Sequence, residues 1–216
     1  MNSLTMGKVR ALQRASTPDD VFTILAIDHQ DALRRAMNSD DPASLRVEAL
    51  TAFKLDVLAA LLPEISAVLL DPVMGAAQAV AAGMTRQIGL LVELEKADYA
   101  LNPLPLAVEI DPQWSVHKIK TMGADGVKLF FYYHPERRAH AAQQISVIAQ
   151  VVADCREMDI PLYAEPILYD VPGPDRRRMV IESGRQVAAT GADVLKLEFP
   201  IDIQRYPHES DWADAC

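Results

Sequence analysis

Short apolar runs, each ending in or carrying an ionisable residue and most of them followed by a helical pattern, recur along the chain. Residues 21–27 form the first and end in Asp28-His29-Gln30. Residues 67–70, closed by Asp71-Pro72, form the second, and Leu106-Ala-Val-Glu-Ile110 the third. Gly126-Val-Lys-Leu-Phe-Phe-Tyr132 carries the fourth, and residues 161–164, with Glu165 at the exit, the fifth. Ala192-Asp-Val-Leu-Lys-Leu-Glu-Phe-Pro200 is the sixth. Apolar, partly β-branched content inside glycine and proline boundaries predicts strands. Residues 89–92 read as a short strand or a lining segment, and residues 93–102 as polar and irregular.

Helical patterns lie between the runs, at residues 4–15, 31–37, 44–62, 114–122, 139–158 and 177–190. In the segment 44–62, Leu45, Leu50, Phe53 and Val57 mark the predicted buried side. Lys54 belongs to the same helix and has no claim on a site. Pro172-Gly173-Pro174 predicts a loop without regular structure. The phrase Gly-Ala-Asp stands before both the fourth and the sixth runs, at Gly123 and Gly191, where it ends a helix and begins a strand. Such repetition is the trace of βα units.

Six strand-then-helix units fit an α/β fold, either a doubly wound sheet or a TIM (β/α)8 barrel. No G-x-G-x-x-G follows the first run and no G-x-x-x-x-G-K-[ST] occurs, so the dinucleotide- and nucleotide-binding versions lack support. Ionisable residues at the ends of several strands are what a barrel active site requires. A complete barrel needs about 250 residues. After Pro200 only the acidic residues 201–216 follow, with no convincing strand. The expectation is one incomplete barrel domain over residues 1–216, with about six β/α units of the usual eight.

Composition narrows the function classes. Half of the 216 residues are hydrophobic, and Lys+Arg 21 against Asp+Glu 30 gives a formal net charge of -9. One core is expected, and a general nucleic-acid binder is excluded for lack of a basic surface. Arg137, Arg138 and the arginines at 176–178 read as solvated faces. Two cysteines, Cys155 and Cys216, make no disulfide framework. No run has the length of a signal-peptide core or a membrane span, so no membrane partner is expected and the cytoplasm is the default location.

Strand alternation puts Lys196 and Glu198 on one face and Leu195, Leu197 and Phe199 on the other. The bland reading lets Lys196 reach solvent along its own stem. For the whole set (Asp28, His29, Gln30, Asp71, Glu109, Asp111, Lys128, Glu165, Lys196 and Glu198) the bland reading is an ion-pair layer at a barrel mouth. The chemical reading starts from the amine. A lysine attacks a carbonyl only when unprotonated, and burial or a second cation lowers its pKa. Lys128 and Lys196 can converge in a barrel, one as nucleophile and one as electrostatic partner. Glu165, on the strand between them, is placed to move protons. A metal reading through His29, Asp28, Glu165 and His134 is weaker, because no recognisable ligand spacing is present. His117 reads as a surface or packing residue.

Leu25-Ala-Ile-Asp-His-Gln-Asp-Ala-Leu33, Leu69-Leu-Asp-Pro72, Val127-Lys-Leu-Phe-Phe-Tyr-Tyr133, Tyr163-Ala-Glu165 and the sixth run together resemble the class I tagatose 1,6-bisphosphate aldolase family, which includes sulfofructose phosphate aldolases. The resemblance runs in order from about residue 4 to residue 200. It implies a Schiff-base lyase without a cofactor, cleaving a phosphorylated or similarly anionic ketose to dihydroxyacetone phosphate and an aldehyde. Lys196 is then the Schiff-base lysine, Glu165 the acid/base, Lys128 a site-lining lysine and Asp28 a contact to substrate hydroxyls. From the chemistry of the residues themselves, Lys128 is expected to depress the pKa of Lys196 and to meet a phosphate oxygen. His29, Gln30, Asp71 and Glu198 are expected beside the substrate. Tagatose-type enzymes have glutamine-arginine where this chain has His29-Gln30. They also have about a hundred further residues forming strands seven and eight, so the chain reads as a fragment or short gene product. Open edges on strands one and six would invite a homo-oligomer. The alternative is a non-catalytic barrel remnant that only binds a ligand or protein.

Overall fold

The computed structural model describes residues 4–96, 107–201 and 208. Six strands form one parallel sheet: β1 (Ile24–Ala26), β2 (Ala67–Leu70), β3 (Gly89–Glu93), β4 (Gly126–Tyr133), β5 (Leu162–Leu168) and β6 (Val194–Leu195). Each strand pairs with the next in sequence. That monotonic order is the progression of a barrel, whereas a doubly wound sheet reverses at a switch point. Among the described residues the sheet is an open barrel of six β/α units, with β1 and β6 as its edges.

The helices are α1 (Met6–Ala15), α2 (Asp31–Met37), α3 (Val47–Leu61), α4 (Ala77–Ala81), α5 (Val116–Met122), α6 (Arg138–Glu157) and α7 (Arg176–Ala188). Sequence signals explain their limits. Ser115 accepts a hydrogen bond from the Lys118 amide at 3.2 Å and starts α5, and Gly123 ends it at φ 99°, a conformation costly for any residue with a Cβ. α6 buries Ile148, Val151, Val152 and Cys155 along one stripe against the outer face of the sheet. No helix among the described residues is long and apolar enough to cross a membrane.

Inside the sheet a second apolar cluster holds Leu69, Leu91 and Tyr163, with Leu12 of α1, Ile24, Ala26 and Val194 packed on it. α1 therefore contributes to the floor of the barrel. It lies so close to β3 that a Cβ on Gly89 would come within 2.7 Å of the Ala15 Cα. Both Gly-Ala-Asp phrases pin this floor. Asp125 takes the Leu90 amide at 3.0 Å and Arg14 Nε at 3.0 Å. Asp193 takes the Leu162 amide at 2.9 Å and Lys8 Nζ at 2.7 Å.

Several expectations change. The third strand is Gly89–Glu93; Leu106 and residues 97–102 lie outside the described residues, 107–109 are not strand, and Ile110 makes an isolated antiparallel bridge to Glu95. Residues 89–92, left open between a short strand and a lining segment, belong to this third strand, which is buried at all five positions and extends to Glu93. β1 is shorter than residues 21–27, and Glu165 lies within β5, paired with Phe130, rather than at its exit. Residues 42–44 form a separate 3-10 turn, and α3 buries Leu50, Lys54 and Leu58 while Phe53 is exposed. A 3-10 turn at Gly173–Asp175 also interrupts the predicted irregular loop. Cys216 and most of the acidic end lie outside the described residues.

Candidate active site

The charged residues form a layer directly above the inner apolar one. Side chains two apart on a strand share a face. Leu91 is followed at that spacing by Glu93, Gly126 by Lys128, Tyr163 by Glu165, Val194 by Lys196 and Ala26 by Asp28. Several strand ends thus deliver charge to one place.

Lys128 is the centre, at 2% exposure. Its ammonium donates to Asp28 Oδ2 at 2.9 Å and Glu95 Oε1 at 2.6 Å, and lies 3.5 Å from Glu165 Oε2. It also sits 5.1 Å from the Phe130 ring centroid. Lys196 Nζ is 2.7 Å from Glu165 Oε1, and its side chain is 52% exposed. Glu165 therefore bridges two lysines, one sunk into the barrel and one at its open rim. Such a carboxylate can exchange a proton with the rim amine while the buried ammonium holds it in place.

Burial alone would raise the Asp28 pKa, but the charge and hydrogen bond of Lys128, helped by His29, hold it below the ordinary carboxylate value. Glu93 goes the other way. Burial, then the neighbouring Glu95, push it well above the ordinary value, against an opposing pull from Lys128. Gln30 Nε2 donates to Glu93 Oε1 at 2.6 Å. Glu93 Oε2 is buried with no hydrogen-bond partner among the described residues.

The layer unites Asp28, Lys128, Glu165 and Lys196, with Gln30 joined through Glu93. His29 stands at its edge, half exposed, with Nδ1 3.7 Å from Asp28 Oδ1. Asp71 is not in it. One of its oxygens takes the Val73 and Met74 amides, and the other takes the fully buried Lys54 of α3. Lys54, given no role from sequence, is thus a buried structural cation. Glu198 is also elsewhere, accepting the Leu168 amide at 3.0 Å and a bond from Arg176, so it ties β5 and α7 together. Glu109 is exposed beside Lys96, and Asp111 caps the turn into α5 through the Gln113 amide.

Glu93 and Glu95 were missed. Their signal was present: Leu91-Val-Glu-Leu-Glu95 repeats the spacing of Leu195-Lys-Leu-Glu198. Oxygens of Asp28, Glu93 and Glu95 lie within 4.8 Å of one another, a grouping that calls for a cation, and the Lys128 ammonium supplies one. His134 packs edge-on against Tyr169, with centroids 5.8 Å apart. Burial and Arg137 lower its pKa.

The chain matches the DeoC/LacD family aldolase description over residues 22–212. It is 31% identical over 217 residues to tagatose 1,6-diphosphate aldolase 2 of Enterococcus faecalis, covering 94% of this chain and 64% of that protein. The protein of the same name from Streptococcus agalactiae is 30% identical over 213 residues, covering 93% and 65%. The chain thus spans just under two thirds of the length of these relatives. Among solved structures, an archaeal fructose 1,6-bisphosphate aldolase superposes with TM-score 0.64 at 18% identity, covering 92% of this chain and 73% of that one. A Schiff-base-forming fructose-1,6-bisphosphate aldolase gives TM-score 0.62 at 19% identity over 92% and 74%. At these identities the two structures speak to the fold.

Proposed function

Because this chain belongs to the DeoC/LacD aldolase family, we propose that it performs Schiff-base aldol cleavage of a phosphorylated or similarly anionic ketose, with Lys196 as nucleophile. The observation that carries the reading is the Glu165 carboxylate shared between Lys196 and Lys128. Lys196 is half exposed at the rim, where a ketose carbonyl can reach it.

Free Lys196 amine adds to the ketose C2 carbonyl, and the carbinolamine loses water to give an iminium. Glu165, hydrogen-bonded to the same nitrogen, is placed to protonate the departing hydroxyl. A base then takes the C4 hydroxyl proton. The C3–C4 bond breaks, its electrons flow to the iminium nitrogen, and an aldehyde leaves. Protonation of the enamine at C3 restores the iminium, and water releases dihydroxyacetone phosphate and the free lysine. Asp28, kept ionised by Lys128, is an acceptor for a substrate hydroxyl. Lys128 itself is buried and engaged by carboxylates, so its part is to hold Glu165 and Asp28 rather than to anchor the substrate anion.

Borohydride reduction in the presence of a panel of ketose phosphates and dihydroxyacetone phosphate, followed by peptide mapping, tests this directly. The expected result is one reduced adduct, on Lys196, absent from Lys196→Met. An adduct confined to other lysines, or none with any member of the panel, overturns the reading and leaves a barrel that only binds.

A further inference from the structure

Among the described residues, four carboxyls, Asp28, Glu93, Glu95 and Glu165, meet two ammonium groups, Lys128 and Lys196, in the mouth of the barrel, with His29 at its edge. With every carboxyl ionised, the described carboxylates of this largely buried layer would outnumber its ammonium groups, a costly arrangement out of water. The cations are unevenly shared. Lys128 serves Asp28, Glu95 and Glu165, and Lys196 serves Glu165. Glu93 meets neither cation within ion-pair distance. Its one described hydrogen bond comes from the neutral amide of Gln30, and its other oxygen is buried without a partner among the described residues. A buried carboxylate oxygen in that position is costly, whereas a carboxylic acid in the same place needs only one acceptor and keeps the Gln30 bond.

We propose that Glu93 is a positioning residue that carries a proton in the working site and, through Lys128, sets how readily Lys196 yields its amine. The inference rests on the aldolase reading for its second half only. Glu93 lies opposite Lys128 in the β3–β4 register. The Glu165 contact, at 3.5 Å, is longer than those Lys128 makes to Asp28 and Glu95, at 2.9 and 2.6 Å, and so the weaker hold. A neutral Glu93 leaves Lys128 shared with Glu165. An ionised Glu93 adds a fourth carboxylate to the claim on Lys128 and draws it away. Glu165 then has only Lys196 as its cation and holds that lysine protonated. The described groups that face Glu93 are Glu95 just past the end of β3, Lys128 from β4, and Asp28 and Gln30 from the segment between β1 and α2. Of these only Lys128 opposes protonation by charge, and Gln30 opposes it by donating to the ionised form.

The test has two readouts on the full chain. Infrared difference spectra against Glu93→Gln, with 13C-labelled glutamate, read the proton directly and need no substrate. The expected result is a protonated-carboxyl band in the wild type at neutral pH that is missing from E93Q. Absence of that band overturns the proposal. The second readout is the pH profile of borohydride trapping at Lys196. E93Q keeps the neutral form permanently, so its trapping is compared with wild type by the shape of the pH profile, not by the absolute rate. Relative to wild type its trapping then grows by at least about threefold as pH rises and the wild-type Glu93 ionises. Gln30→Met removes the bond that favours the ionised form, and so moves the wild-type limb to higher pH. Parallel profiles in all three proteins, with the band present, overturn the link to Lys196 and leave Glu93 a packing residue. If no protein gives an adduct, the aldolase reading fails and the link fails with it, while the band still decides where the proton is.

Discussion

At the amino-terminal ends of the strands each aspartate of the Gly-Ala-Asp phrases meets one cation and one backbone amide, whereas at the carboxyl-terminal ends four carboxyls share two lysines. Asp193 has Lys8 and the Leu162 amide; Asp125 has Arg14 and the Leu90 amide. Asp71, beneath α3, is a third closed case, with Lys54 on one oxygen and two amides on the other. Nothing in these pairs is left over for a ligand. In the mouth, Glu165 is divided between two cations, while Glu93 forms no ion pair among the described residues and feels Lys128 only through its charge. Residue type is the same at both ends. What separates support from chemistry is whether donors and acceptors balance, since an unbalanced layer holds groups whose protonation is near an alternative.

The sharpest way to break this contrast is Glu165→Gln. If the mouth is built for proton transfer, the variant loses about 10²–10⁴-fold in the rate of adduct formation, the usual weight of a positioned acid/base. Its urea midpoint should move little, because the single amide oxygen can still accept from Lys196 while Lys128 keeps Asp28 and Glu95. A large fall in stability with an unchanged trapping rate would put Glu165 among the supporting pairs.

Lys54→Met comes next and reads the closed pairs. It strands the Asp71 carboxylate at zero exposure, and removal of one partner from a buried pair costs about 3–5 kcal/mol. Adding Asp71→Asn should recover much of the loss, because the amide oxygen can still accept from Val73 and Met74 while the stranded charge is gone. Denaturant unfolding with an unchanged slope is the measurement. No recovery in the double variant would mean that the pair does more than compensate charge. Lys8→Ala is a milder version at the floor. Asp193 keeps the Leu162 amide, so the cost falls to about 1–3 kcal/mol, with borohydride trapping at Lys196 unchanged.

The barrel order and the central residues were legible from sequence because they follow from period and position. A strand that ends in Asp28, or carries Lys128 or Lys196 two residues past an inward apolar side chain, delivers that group to the mouth whatever the loops do. The exceptions have physical causes. β3 is buried on both faces, so its run lacked the alternation that marks a half-exposed strand, and Glu93 and Glu95 went with it. Asp71 shares the strand-end signature of Asp28, but the turn at Pro72–Ala76 uses it as a cap and α3 brings Lys54 to it. That partner comes from a helix whose apolar pattern concealed a buried lysine. Glu198 was read as a continuation of strand alternation, yet the last ladder bond is from the Lys196 amide to the Ala164 carbonyl, and Glu198 lies past it, taken up by the Leu168 amide. Sequence gives which groups reach a strand end; which of them already has a partner depends on packing between elements distant in the chain.

The smallest effect is also the one that tests balance without any substrate. Glu93 has a folded pKa raised above its ordinary value of 4.5, so above that value the folded protein holds a proton that the unfolded chain has released. Stability contributed by the neutral form is therefore full below the ordinary carboxylate range and is lost as pH rises towards the folded pKa, with a slope of at most about 1.4 kcal/mol per pH unit. Asp28 has the opposite sign. Its folded pKa is lowered below 3.8, so its contribution is present above that value and is lost as pH falls through the folded one. E93Q removes the first dependence and leaves the second. Its stability relative to wild type should rise with pH from the ordinary carboxylate range upward, while the two proteins lose stability in parallel in acid through Asp28. Urea unfolding across pH reads both limbs. A constant difference between E93Q and wild type would mean that Glu93 is ionised in the fold, and that the mouth is balanced by something other than a retained proton.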